Sequence, residues 1–91
     1  MPTVVRGDFE WDDSKARTNR AKHGVAFEEA ALAFADPRLV FVSDGGDRLV
    51  AIGFSHRGRL LCVAHVDRGS RHRIISARVA TSEESKLYVE G

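Results

Sequence analysis

The stretch "RLVAIGFSHRGRLLCVAHVDRGSRHRIISARV", residues 48–79, decides the fold. It contains three runs rich in Val, Ile, Leu and Ala, from Arg48 to Ser55, Leu60 to Val66 and Arg71 to Val79, and all three are strand-like. His56-Arg57-Gly58 and Asp67-Arg68-Gly69-Ser70 separate them, and both are short glycine-containing segments that suit hairpins. Consecutive strands joined by tight turns make an antiparallel meander. Just upstream, Leu39 to Val42 supplies a fourth short strand, and Ser43-Asp44-Gly45-Gly46-Asp47 reads as the turn into the meander.

Working outward, Phe9-Glu10-Trp11-Asp12 alternates apolar and polar residues, as a short strand or an extended lead-in does. Asp12 or Asp13 offers an N-cap for a polar helix from Ser14 to about Lys22, and His23-Gly24 is its stop. Phe27 opens a second helix, because Phe27, Ala30, Ala31 and Phe34 fall at i, i+3, i+4 and i+7; Asp36-Pro37 ends it. Past the meander, Thr81-Ser82-Glu83-Glu84 has the form of an N-cap followed by first-turn acids, opening a helix that carries Leu87 and Tyr88. The expected fold class is therefore α+β. Two N-terminal helices and a C-terminal helix pack on a four-stranded, mainly antiparallel sheet, in one domain spanning residues 1–91.

The longest apolar run, Ala30 to Ala35, falls far short of the roughly 20 residues that a membrane span needs. No charged segment followed by an apolar one opens the chain, so no signal peptide is expected. The one cysteine, Cys62, sits inside the apolar run Leu60 to Ala64, where it reads as a small buried hydrophobe. A lone cysteine suits a reducing cytoplasm, the expected location, with no membrane partner.

The formal net charge of +1 conceals an uneven distribution. Residues 48–78 hold Arg48, Arg57, Arg59, Arg68, Arg71, Arg73 and Arg78, three histidines and a single acid, Asp67. Such a cationic half suits an anionic partner. In a regular strand Arg71 and Arg73 face one way and His72 and Arg78 the other. With the hairpin centred on Gly69, His65 falls opposite Arg73, and a slip of one residue puts it opposite His72. Arg73 and Arg78 then reach one phosphate only through a bulge, or if Arg78 sits at the strand's end. The alternative for these arginines is pairing with Glu28, Glu29 or Asp67 at a wet sheet end. Lys22 and His23 offset a helix dipole, and they also offer an ammonium and an imidazole to a phosphate. Scattered histidines and one cysteine show no zinc spacing, so no metal and no cofactor are expected.

The segments "FEWDDSKARTNRAKHGVAFEEAALAFADP", "RLVAIGFSHRGRLLCVAHVDRG", "RIISAR" and "ATSEESKLY" together resemble the BrnT toxin family, over about Phe9 to Glu90. The resemblance implies a type II toxin–antitoxin toxin of RelE-like ribonuclease fold. It also implies a BrnA-like ribbon-helix-helix antitoxin, through which alone the pair meets operator DNA. The family's basic and polar positions map onto Lys22, His23, Arg57, His65, Arg73, Arg78 and Tyr88. Family members often carry further bases where this chain has Val79 and Ser82-Glu83-Glu84-Ser85, so its last helix is less basic.

The expected activity is endoribonuclease cleavage by metal-independent acid–base chemistry. In that reading Lys22, His23, His65, Arg73, Arg78 and Tyr88 form the catalytic set, and Arg57, Arg59 and Arg71 contact RNA. Arg73 and Arg78 hold the phosphate, because a guanidinium fork grips two oxygens. His65 or His23 moves the proton, and Tyr88 is the reserve acid. The alternative is a non-catalytic module, a decayed toxin that binds nucleic acid or antitoxin and serves in operon autorepression.

Overall fold

The computed structural model describes residues 2–43 and 45–91; Asp44, in the turn expected at 43–47, lies outside them. In chain order the elements are β1 (Thr3–Arg6), β2 (Phe9–Asp12), α1 (Asp13–His23), α2 (Phe27–Ala33), β3 (Val40–Ser43), β4 (Leu49–Phe54), β5 (Leu60–Arg68), β6 (Arg71–Val79) and α3 (Ser82–Glu90). The strands form one sheet in the order β1-β2-β6-β5-β4-β3. The expected α+β class, the meander and all three helices are present.

The sheet has six strands rather than the expected four, and it is mixed rather than a plain meander. Two strands precede the helices. The first, β1, is the four-residue run TVVR, in which only Val4 is partly buried, so no periodicity betrays it. It pairs antiparallel with β2, and β2 pairs parallel with β6 through Phe9–His72 and Glu10–Arg73. That parallel contact joins the two ends of the chain, and no local sequence signal encodes it.

The local starts and stops follow the side chains. Asp12 caps α1 by accepting from the Ser14 N–H at 3.2 Å. Gly24 closes it in the left-handed region at φ 70°, donating its N–H to the Arg20 carbonyl. At the other end of the chain, Thr81 and Glu84 form a full capping box for α3.

Pairing along the meander sets the two faces. On β5, Leu61, Val63 and His65 are fully buried and point to the side covered by α1 and α2. Trp11, Phe27, Ala30, Ile74 and Ala77 complete that core, and Trp11 is its anchor at 1% exposure. Each such large apolar side chain stabilises the fold by about 1.5–3 kcal/mol through burial. The opposite face carries Ile52, Cys62 and Val40, covered in part by α3, whose Glu84 meets Cys62 and whose C-cap, Gly91, lies close against Val40.

The β5–β6 hairpin is tighter than the expected 67–70 loop. Pairing continues to Arg68–Arg71, leaving only Gly69 and Ser70 in the turn. Gly69 has φ 59° and Ser70 does not have positive φ, the pattern of a type II′ turn. Further along, Ala64 pairs with Ser76 but His65 pairs with Ile74, so Ile75 is an extra residue, a β-bulge. His65 therefore lies opposite Ile74, and neither expected register, Arg73 or His72, is realised.

Beyond Glu10, β2 no longer covers the edge of β6, and α1 takes its place. Asn19 is 6% exposed on an otherwise polar helix. Its amide nitrogen donates to the Ala77 carbonyl at 2.8 Å and to the Val25 carbonyl at 2.9 Å. Its amide oxygen accepts from the Ala77 N–H at 3.1 Å. One side chain thus supplies the bonds that a neighbouring strand would make.

Glu29, 4% exposed, ties α2 to the β4–β5 hairpin. It accepts from Ser55 Oγ and from both Nε and Nη2 of Arg59. The Arg59 hydrogen bonds hold its carboxyl down at about 2, against an ordinary value of 4.5. Because the folded value is depressed, the stabilisation is complete above about pH 4.5 and fades as the pH falls toward 2. It amounts to about 3 kcal/mol.

Two outcomes follow in urea denaturation. Asn19→Ala strands two backbone groups of β6 and should cost about 2–4 kcal/mol at neutral pH. The wild-type protein should lose stability steeply between pH 4.5 and 2, and Glu29→Gln should flatten that part of the profile.

Candidate nucleic-acid interface

The bulge at Ile75 reorganises the charges of β6. Arg73 pairs with Val66, Ser76 with Ala64 and Arg78 with Cys62. Val66, Ala64 and Cys62 alternate on one face of β5, so Arg73, Ser76 and Arg78 share that face too. Regular alternation would have put Arg73 and Arg78 on opposite faces. A groove opens between α1 and the edge of β6, lined by Lys15, Thr18, Lys22, His23, Ile75 and Ser76; of the residues on the arginine face, Ser76 is the one that reaches it. Lys22 and His23 are exposed in the last turn of the helix.

Both arginines already hold carboxylates. Arg73 Nη1 lies 2.6 Å from Glu10 Oε2, a partner brought in by the parallel β2–β6 contact. Arg78 grips Glu84 with both terminal nitrogens, at 2.7 and 2.8 Å. Glu84 is held down at about 2, chiefly by that hydrogen-bonded guanidinium, and the same contact raises Arg78. Glu84 also accepts from the Thr81 N–H and the Cys62 thiol. A carboxylate bound by a guanidinium fork occupies the geometry that two phosphate oxygens would take.

The arginines expected to contact RNA divide between the two ends of the sheet. Arg59 engages Glu29 and donates to the Gly24 carbonyl, so it belongs beside the end of α1. Arg57 is exposed in the same β4–β5 hairpin. Since Leu61 pairs with Val79, that hairpin, the Lys22-His23 turn and Arg78 all lie at one end. Arg71 lies at the far end of β6, beside the β5–β6 turn, roughly 20 Å away at ~3.3 Å per residue.

Of the expected catalytic set, Lys22 and His23 line the groove and Arg73 and Arg78 share the face of Ser76, whereas His65 and Tyr88 lie elsewhere. His65 lies on the helix-covered face, fully buried, and burial lowers its pKa. Phe34 and Phe41 contact its ring edge-to-face, with centroids 5.0 and 5.8 Å away. Tyr88, on α3, donates its hydroxyl to Asp36 Oδ2 at 2.7 Å and packs on Phe54. That hydrogen bond raises its pKa, which weakens it as a proton donor.

Several residues of the site escaped the sequence reading. Ser76, Lys15, Glu10 and Glu84 acquire their roles from the bulge, the α1 edge and the parallel pair, none of which shows locally. The expected partner set was partly met: Glu29 pairs with Arg59, while Asp67 pairs with His72. Among the described residues, His65, Asp67 and His72 offer ligand atoms within 4.8 Å of one another, although the histidines had shown no metal spacing.

Cys62 is 5% exposed, and burial together with Glu84 pushes its thiol up to about 11. It is a core residue and not a nucleophile. In the native protein at pH 8, its alkylation by iodoacetamide should be at least ~100-fold slower than in urea, as followed by mass spectrometry.

Fold and groove together define a small α+β protein with a mixed sheet and a cationic, carboxylate-guarded strand. The chain belongs to the BrnT family: residues 11–84 match the profile described as "Ribonuclease toxin, BrnT, of type II toxin-antitoxin system". Its fold is similar to the 1.1 Å crystal structure of the Brucella abortus ribonuclease toxin BrnT, with a TM-score of 0.66 and 31% sequence identity. That match covers 79% of this chain and 94% of the other. The sequence matches none of the curated proteins with which it was compared. An antitoxin partner and an RNA substrate go with this family. Among the described residues, no helix is long and apolar enough to cross a membrane.

Proposed function

We propose that this chain cuts RNA by metal-independent acid–base chemistry, in the groove between α1 and β6, in the cytoplasm. The observation that carries this reading is the bulge at Ile75, which sets Arg73 and Arg78 on one face, on either side of Ser76, and Ser76 lines the groove together with Lys22 and His23. Strand cleavage needs a proton taken from the 2′-hydroxyl, a cation at the phosphorane, and a proton given to the leaving 5′-oxygen. Arg78 is the phosphate ligand, exchanging Glu84 for substrate. His23 is the proton-transfer group, because it is an exposed imidazole beside that strand. Lys22 and Ser76 steady the phosphate, while Arg57, Arg59 and Arg73 extend the cationic track. A BrnA-like ribbon-helix-helix antitoxin covers this surface, and the pair meets operator DNA through the antitoxin.

The carboxylates on both arginines favour a second reading, a protein that binds its antitoxin or nucleic acid without cutting. The two readings differ in product. Protein freed of antitoxin and held in EDTA should convert RNA to fragments ending in a 2′,3′-cyclic phosphate. Arg78→Ala and His23→Ala should each lower that rate about 100-fold or more at a temperature where circular dichroism shows both variants folded. Binding that weakens with salt and yields no fragments supports the second reading instead.

Glu84 supplies a further expectation. Glu84→Gln keeps the size of the side chain but releases Arg78 from its ion pair, so RNA affinity should rise several-fold in filter binding at low salt. An unchanged affinity would mean that Glu84 does not compete with phosphate.

A further inference from the structure

The tip of the β5–β6 hairpin carries a cluster that the groove does not use. Asp67 and His72 are cross-strand partners, and His65 lies two residues before Asp67 on the same face. His72 Nδ1 is 2.6 Å from Asp67 Oδ1, and His65 Nδ1 is 3.5 Å from the same oxygen. His65 is fully buried, yet among the described residues neither of its ring nitrogens has a hydrogen-bond partner. A buried imidazole without a partner is costly, and such a group calls for a specific occupant of its lone pair. Here Nδ1 is directed toward the carboxylate and its bonded imidazole.

We propose that His65, Asp67 and His72 bind a divalent transition-metal ion of the zinc type. Two imidazoles and a carboxylate are a suitable donor set, and with three protein ligands a fourth position stays open to water. Ligand atoms around a tetrahedral zinc ion stand roughly 3.3 Å apart, given bonds of about 2.0–2.2 Å. Here all three fall within 4.8 Å, so small side-chain adjustments close the site. Asp67 is half exposed and His72 about a third exposed, which provides an entry path.

Aromatic neighbours hold both rings in place. Phe34 stacks on His72 at 5.3 Å and meets His65 edge-on, and Phe9 packs on His72 from the neighbouring strand. Metal at this point would join β5 to β6 beyond the last core residue, Ile74, and brace the strand that carries Arg73. The role is a clamp on the hairpin, separate from the proposed cleavage groove, and it stands or falls independently of ribonuclease activity.

The test uses the full chain, stripped of metal with a chelator that is then removed, and titrated with Zn²⁺ by calorimetry at pH 7.5. Saturable binding at one ion per chain is expected, with a raised melting temperature and shifts in the His65 and His72 imidazole ¹⁵N resonances. Co²⁺ in place of Zn²⁺ should give the visible absorption of a four-coordinate site. Asp67→Asn and His72→Gln, both at accessible positions that the fold tolerates, should each weaken binding by at least about tenfold. His56→Gln, on the exposed β4–β5 turn, should leave it unchanged. The proposal is overturned if no saturable binding occurs, or if both hairpin variants bind as well as the wild type. It is equally overturned if His56→Gln is the variant that loses the ion.

Discussion

The side chain of Asn19 is the joint on which the architecture turns. A sheet edge leaves backbone groups unpaired, and burying them without partners costs about 1–3 kcal/mol each. Strand β2 covers only the first part of β6, so the N–H and C=O of Ala77 would otherwise be left beneath α1. Asn19 answers both with one amide, and its remaining donor secures the Val25 carbonyl where the chain turns into α2. This lets a polar helix lie against the edge of β6, and it brings the last turn of α1, with Lys22 and His23, alongside Ser76. The same contact that completes the sheet builds the wall of the groove.

The second constraint is the extra residue in β6. A strand of regular alternation can present Arg73 or Arg78 on a given face, not both. Ile75 shifts the phase midway, so the strand keeps Ile74 and Ala77 in the core and yet shows both arginines on the other side. Bulges are a known way to re-aim side chains near functional sites. The resulting cationic face is not left bare: Glu10 and Glu84 arrive from opposite ends of the chain to hold the two guanidiniums. Each guanidinium is thereby neutralised by a carboxylate of the same chain.

Much of this was legible in the chain. The caps at Asp12, Gly24 and Thr81, the apolar face of α2, the three runs of the meander and the buried character of Cys62 all follow from short-range patterns. Such patterns reflect local hydrogen bonding and period, which a few neighbouring residues decide. The excess of arginine in the second half was equally plain, as was its suitability for an anionic partner. The edge strand β1 was not, because four mostly exposed residues carry too little periodicity. The catalytic role expected of His65 ran into the same limit: its type suits proton transfer, but its accessibility is a property of the packed sheet.

By itself, then, the sequence determined the helices, the meander, the α+β class and the cationic character of the last strands, since each rests on propensity, period or composition. Only the tertiary structure decided the parallel union of β2 with β6, the bulge at Ile75 and the meeting of His65, Asp67 and His72. These join residues distant in the chain or depend on a register one residue out of phase. Their free energies come from contacts that exist only once the sheet has closed. For that reason the choice of which cations share a face belongs to the fold and not to the spacing of "RHRIISAR".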